Sequence, residues 1–153
     1  MTTTNPAARL PLVLVARVFL PFAGGYFLSY LYRTVNAVIG PDLVRDFDVG
    51  PGDLGLLTSV YFLTFAAAPL PLGVMLDRYG PRRVNATLLA IAALGAGVFA
   101  WASSFSDLLI GRALIGVGVS GALMAALKAF TVWFPRNRLA TVNGLLMAMG
   151  GLG

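Results

Sequence analysis

Cysteine, histidine and glutamate are all missing from this 153-residue chain, and lysine occurs once, at Lys128. The lack of cysteine rules out disulfides and thiolate chemistry, and the lack of histidine removes imidazole metal ligands and the commonest general base. The carboxylates are all aspartate and lie between apolar runs or at their edges. No nucleophile–base pair and no metal-ligating cluster emerges, so an enzyme, a cofactor and a metal site are not expected. Charge is scarce as well, at 11% of residues, where a soluble domain carries about 25%. The formal net charge of +5 does not point to nucleic acid, because the cations are scattered singly or in pairs rather than gathered on one face.

What is abundant is apolar, at 58% of the residues. A helix needs about 20 apolar residues to cross the hydrocarbon of a bilayer. Four runs meet that need, at 12–39, 54–76, 84–104 and 108–134, and a fifth, 139–153, is incomplete. Each is apolar nearly all round, unlike an amphipathic surface helix. The expected fold class is therefore all-α, a polytopic transmembrane helix bundle. Arg17 and Pro21 interrupt the first run, which continues past Leu31, so a retained span is expected there rather than a cleaved signal peptide. Pro41 to Asp53 reads as a polar connection ending in the turn and cap Gly50-Pro51-Gly52-Asp53. Asp107 is placed to cap the fourth span, and Pro135 to end it before the basic turn Arg136 to Arg138.

Cations sort by side of the membrane. Arg9, Arg17, Arg78, Arg82, Arg83, Arg136 and Arg138 fall on one side, and Arg45 alone falls on the other among aspartates. The positive-inside rule then places the N-terminus, residues 1–9, in the cytoplasm. The Ala, Gly and Arg richness with a single Lys suggests a GC-rich bacterial genome, and a bacterial inner membrane is the expected location.

Between the second and third runs lies residues 73–83, GVMLDRYGPRR. Its spacing, G-x-x-x-D-R-x-G-x-R-R, and its position resemble the loop joining helices 2 and 3 in the major facilitator superfamily of secondary transporters. Pro81 stands where the family often has another residue. The resemblance implies about twelve helices in two similar halves, of which this chain would be the N-terminal portion, truncated in helix 5. Its partners would be a small-molecule solute, membrane lipids and the C-terminal half of the same transporter. A gating loop of Gly73, Asp77, Arg78, Gly80, Arg82 and Arg83 is also implied, with Asp77 held by a helix N-terminus of the opposite half. Asp77 needs such a partner, since a carboxylate is disfavoured at a helix C-terminus. Gly73 would allow close backbone approach and Gly80 a turn. For Arg82 and Arg83, plain attraction to lipid headgroups stands as the other reading.

The first span carries a polar stripe. At 100° per residue Tyr26, Ser29, Tyr30, Arg33 and Asn36 share an arc of about 120°. Such a stripe is expected to face a cavity or other helices, because an arginine in lipid costs at least about 2.5 kcal/mol. Helix 1 lines the central cavity in transporters of this type, which makes these five the substrate-binding candidates and an anion the solute suited to Arg33. Snorkelling of Arg33 to the nearby headgroups is the other reading, and packing or an interfacial belt is the other reading of the two tyrosines.

The fourth span opens with Arg112, Gly116 and Gly118 in the spacing R-x-x-x-G-x-G. This is similar to a helix 4 signature of the same superfamily, which implies coupling to a proton or another ion, or a conformational role. Arg112 can also snorkel outward, and the glycines, with Gly121 and Ala125, suit close helix packing. Lys128 reads as snorkelling to the cytoplasmic headgroups, with the cytoplasmic half of a cavity as the other reading, and Pro69 and Pro71 read as a bend. A different class of function is a short, non-transporting membrane protein that assembles through its Gly-rich helix faces.

Overall fold

A computed structural model describes residues 12–153; the expected cytoplasmic segment 1–9 lies outside them. The first helix opens with a single turn, Leu12–Leu14, widens into a π-helical turn at Val15–Phe19, and continues as α1, Leu20–Phe47. Then come α2 (Pro51–Ala67), α3 (Pro69–Tyr79), α4 (Pro81–Ala100), α5 (Phe105–Ser120) and α6 (Ala122–Trp133). A 3-10 turn, Arg136–Arg138, leads into α7, Leu139–Gly151. No strand occurs among the described residues, and the chain is an all-helical bundle.

The helix ends follow local chemistry. At the start of α2, the Gly50 amide donates to the Asp53 carboxylate at 2.8 Å, with Pro51 at the first helical position. At the start of α5, Ser104 and Asp107 cap reciprocally: the Asp107 amide reaches Ser104 Oγ at 3.3 Å, and the Ser104 amide reaches Asp107 Oδ2 at 3.0 Å. Between α3 and α4 the chain reverses on Gly80 alone, at φ 80°, a conformation glycine adopts without strain. Pro69 has no N–H to continue the helix, and α2 and α3 meet there at a bend of 44°.

One expected connection is not a loop. α1 runs past Ile39 and through Pro41 to Phe47, and it ends on Asp48 in the left-handed conformation. Two observations account for the extension. Leu43 is buried against Leu57 and Leu108, so the added turns have a core of their own. Arg45 also pairs with Asp42 at 3.4 Å and Asp46 at 3.2 Å, though pairs this exposed add at most about 1 kcal/mol.

α4 and the nearly continuous rod Phe105–Trp133 are each long and apolar enough to cross a membrane, and the bent α2–α3 pair makes a third span when taken as one. α1 is not among them, because Arg33, Asn36 and their polar neighbours dilute its apolar character. Leu63, Leu70, Leu94 and Trp101 stand exposed on the outside of the bundle, as a lipid-facing surface requires. Inside, Phe130 of α6 is fully buried, stacked on Phe19 at 5.6 Å and edge-on to Phe22 at 6.5 Å. Val142 and Leu146 of α7 join the same core. The chain is an integral membrane protein.

Candidate functional site

A connected set of polar side chains lies where α1, α2 and α5 meet. Arg112 of α5 is only 1% exposed, which sets aside the snorkelling reading. Its guanidinium turns inward: Nη1 donates to the Tyr32 carbonyl of α1 at 3.2 Å, Nη2 donates to Asn36 Oδ1, and the group lies 4.7 Å above the Phe99 ring. Asn36 in turn donates to Thr58 Oγ1 of α2 at 3.2 Å. Three helices are thus tied at one level. Charge-assisted hydrogen bonds and the ring face offset the cost of holding a guanidinium away from water.

Close packing lets Arg112 reach across. A Cβ on Gly116 would stand 2.5 Å from the Tyr61 carbonyl, and one on Gly118 would stand 2.6 Å from Ala92 Cβ. Those separations are far inside van der Waals contact, so glycine at both positions brings α5 against α2 and α4. The arrangement observed for these two residues is helix packing.

The expected stripe on α1 divides in two. Tyr26 and Ser29 are buried in helix contacts: Ser29 Oγ donates to the Val119 carbonyl at 3.4 Å, and Tyr26 faces α7, its hydroxyl 3.6 Å from Met147 Sδ. Tyr30 and Arg33 are partly exposed. The Arg33 guanidinium lies 4.8 Å from the Tyr30 ring and 5.0 Å from Phe65, and its Nε is buried without a hydrogen-bond acceptor. No carboxylate pairs with Arg33 or Arg112 among the described residues. Thr58, Phe65 and Phe99 complete this level and carried no signal in the sequence, since hydropathy does not say which face of a span meets which neighbour.

The loop end is built differently. Asp77, in the last turn of α3, pairs with Lys128 of α6 at 2.6 Å, both side chains remaining substantially exposed. Lys128 therefore turns to Asp77 rather than to headgroups, and it supplies a partner that the sequence sought only in an opposite half. Arg78 lies over the Tyr79 ring at 5.5 Å, and Arg82 and Arg83 are exposed. Gly73 makes no close approach, with nothing within 4 Å of where a Cβ would stand.

A family model, the Major Facilitator Superfamily, matches residues 22–153. Among curated relatives, a nitrate/nitrite transporter of Picosynechococcus sp. is 29% identical over 84% of this chain and 24% of its own length. A probable sulfoacetate transporter of Cupriavidus necator is 29% identical over 84% of the chain and 30% of its length. A hexuronate transporter of Bacillus subtilis is 32% identical over 90% of the chain and 31% of its length. The chain thus spans about a quarter to a third of these relatives. No solved structure matches it. The motif at 73–83, which spans the end of α3, the turn at Gly80 and the start of α4, and the matched 22–153 agree: the chain belongs to the major facilitator superfamily.

Proposed function

We propose that this chain is the N-terminal portion of an alternating-access secondary transporter for a small anion, not an enzyme. It sits in a bacterial inner membrane with its N-terminus in the cytoplasm. The observation that carries the reading is a pair of guanidinium groups, Arg33 on α1 partly open and Arg112 buried against α1, with no carboxylate on either among the described residues. A cation held in low dielectric favours a negative ligand, and nitrate, sulfoacetate and hexuronate, for which three relatives are named, are anions.

Arg33 presents its fork to the solute, with Tyr30 beside it. Arg112 acts behind it, holding Asn36 and the backbone at Tyr32, and so fixes the turn of α1 from which Arg33 projects. Arg112, Gly116 and Gly118 take part in any coupling to a proton or another ion through this packing. Asp77 gates: it exchanges its Lys128 contact for one on the opposite half as the bundles rock. The test is uptake of a panel of small anions by the full-length protein in proteoliposomes. Arg33→Ala is expected to abolish anion uptake and Asp77→Asn to slow it, with insertion unchanged in both. Undiminished anion uptake by Arg33→Ala sinks the reading.

A further inference from the structure

We infer that Tyr61 is a positioning residue for Arg33, setting the guanidinium that meets the solute; the inference rests on the transport reading above. Tyr61 lies on α2 and is only 2% exposed. The described residues enclose it by themselves, so no further segment of chain is needed to cover it. So enclosed, it acts on a solute through a neighbour rather than by contact.

Both parts of the side chain lead to Arg33. The hydroxyl crosses to α1 and donates to the Ser29 carbonyl at 3.4 Å. In an α-helix the amide four residues on bonds the same carbonyl, and here that residue is Arg33, inside Leu20–Phe47. The Ser29 hydroxyl in turn donates to the Val119 carbonyl of α5 at 3.4 Å. The turn of α1 that ends on Arg33 is thus held from two neighbouring helices. The Tyr61 ring stacks on Phe65, with centroids 6.1 Å apart and planes at 19°. Phe65 then lies 5.0 Å from the Arg33 guanidinium, and Tyr30 lies 4.8 Å from it.

Rings matter here because Arg33 Nε is buried without an acceptor. A ring face attracts a cation but does not aim it along one direction as a hydrogen bond does. The aim of the Arg33 fork therefore follows the placement of the rings, and behind Phe65 stands Tyr61. Tyr61 has little room to shift, since a Cβ on Gly116 of α5 would stand 2.5 Å from its carbonyl.

Two measurements on the full-length protein test the role, using Tyr61→Phe, which keeps the ring, and Tyr61→Leu, which removes it. The first is labelling of Arg33 by phenylglyoxal, read by peptide mass spectrometry. Arg33 is expected to react about threefold faster in Tyr61→Phe and about tenfold faster in Tyr61→Leu, as the hydroxyl bond and then the ring are lost. The second is uptake of nitrate, sulfoacetate and glucuronate, a hexuronate, by proteoliposomes. KM for the anion carried should rise by about the same factors, with Vmax per folded protein held within about twofold. A tyrosine that merely stabilises the bundle would lower Tm or the folded yield and leave both labelling and KM unchanged, which overturns the inference. Equal labelling in the unaltered protein and both variants, or none in any of them, also overturns it. Labelling needs no solute. If the unaltered protein carries none of these anions, the transport reading fails, and the labelling still decides whether Tyr61 positions Arg33.

Discussion

The level around Arg112 and the loop end around Asp77 use the same kind of group in opposite ways. At Arg112 the charge is 1% exposed and its partners are fixed: a backbone carbonyl, an amide and a ring. At Asp77 the charge is exposed and its partner is one flexible lysine at 2.6 Å. A buried charge-assisted bond is worth about 1.5–3 kcal/mol, and an exposed ion pair about 0–1 kcal/mol. The first suits a joint that stays closed, and the second a contact that can be released and remade, as the proposed transport cycle requires of them.

Four substitutions probe that contrast, in falling order of effect. Arg112→Ala leaves Asn36 and the Tyr32 carbonyl without their donor, and is expected to destabilise the bundle by about 3 kcal/mol, read as a lowered Tm in detergent. Gly118→Val drives a side chain into Ala92 and is expected to cost about 1–3 kcal/mol, measured the same way. Arg33→Ala removes the contacts with the Tyr30 and Phe65 rings, each worth about 0.5–1 kcal/mol, so its Tm should fall less than in the first two variants. Its solute affinity should fall at least about tenfold, or about 1.4 kcal/mol, in direct binding measurements on the full-length protein. Asp77→Asn should change Tm least, by less than about 1 kcal/mol of stability, while slowing uptake. If Asp77→Asn unfolded the protein as readily as Arg112→Ala, the contrast would be wrong.

Hydropathy made the order of the helices legible, because a bilayer sets a minimum length for each apolar run. Turn chemistry did the same for several ends: Gly50 with Asp53, Asp107 and Gly80 all act where their residue types suggest. The extension of α1 to Phe47 was hidden, since Pro41 and three aspartates look like a loop and the burial of Leu43 is a tertiary fact. Arg112 was hidden for a related reason. Its distance from the end of the span allowed it to reach the membrane surface or to turn inward, and only the placement of Asn36 and Tyr32 on the adjoining helix decides. Lys128 shows the same ambiguity, resolved by Asp77 lying 51 positions earlier in the chain. Gly73 carried a family signature, yet the structure leaves its face open.

The break at Pro69 divides the second span into two levers. The upper one is anchored through Thr58 to the arginine-bearing level, and the lower one carries Asp77. Since neither Pro69 nor Pro71 can donate an amide hydrogen to the preceding turn, the joint is mechanically soft where the flanking rods are stiff. The lower lever can therefore swing at the end that carries Asp77 while the upper one keeps the level around Arg112 in register.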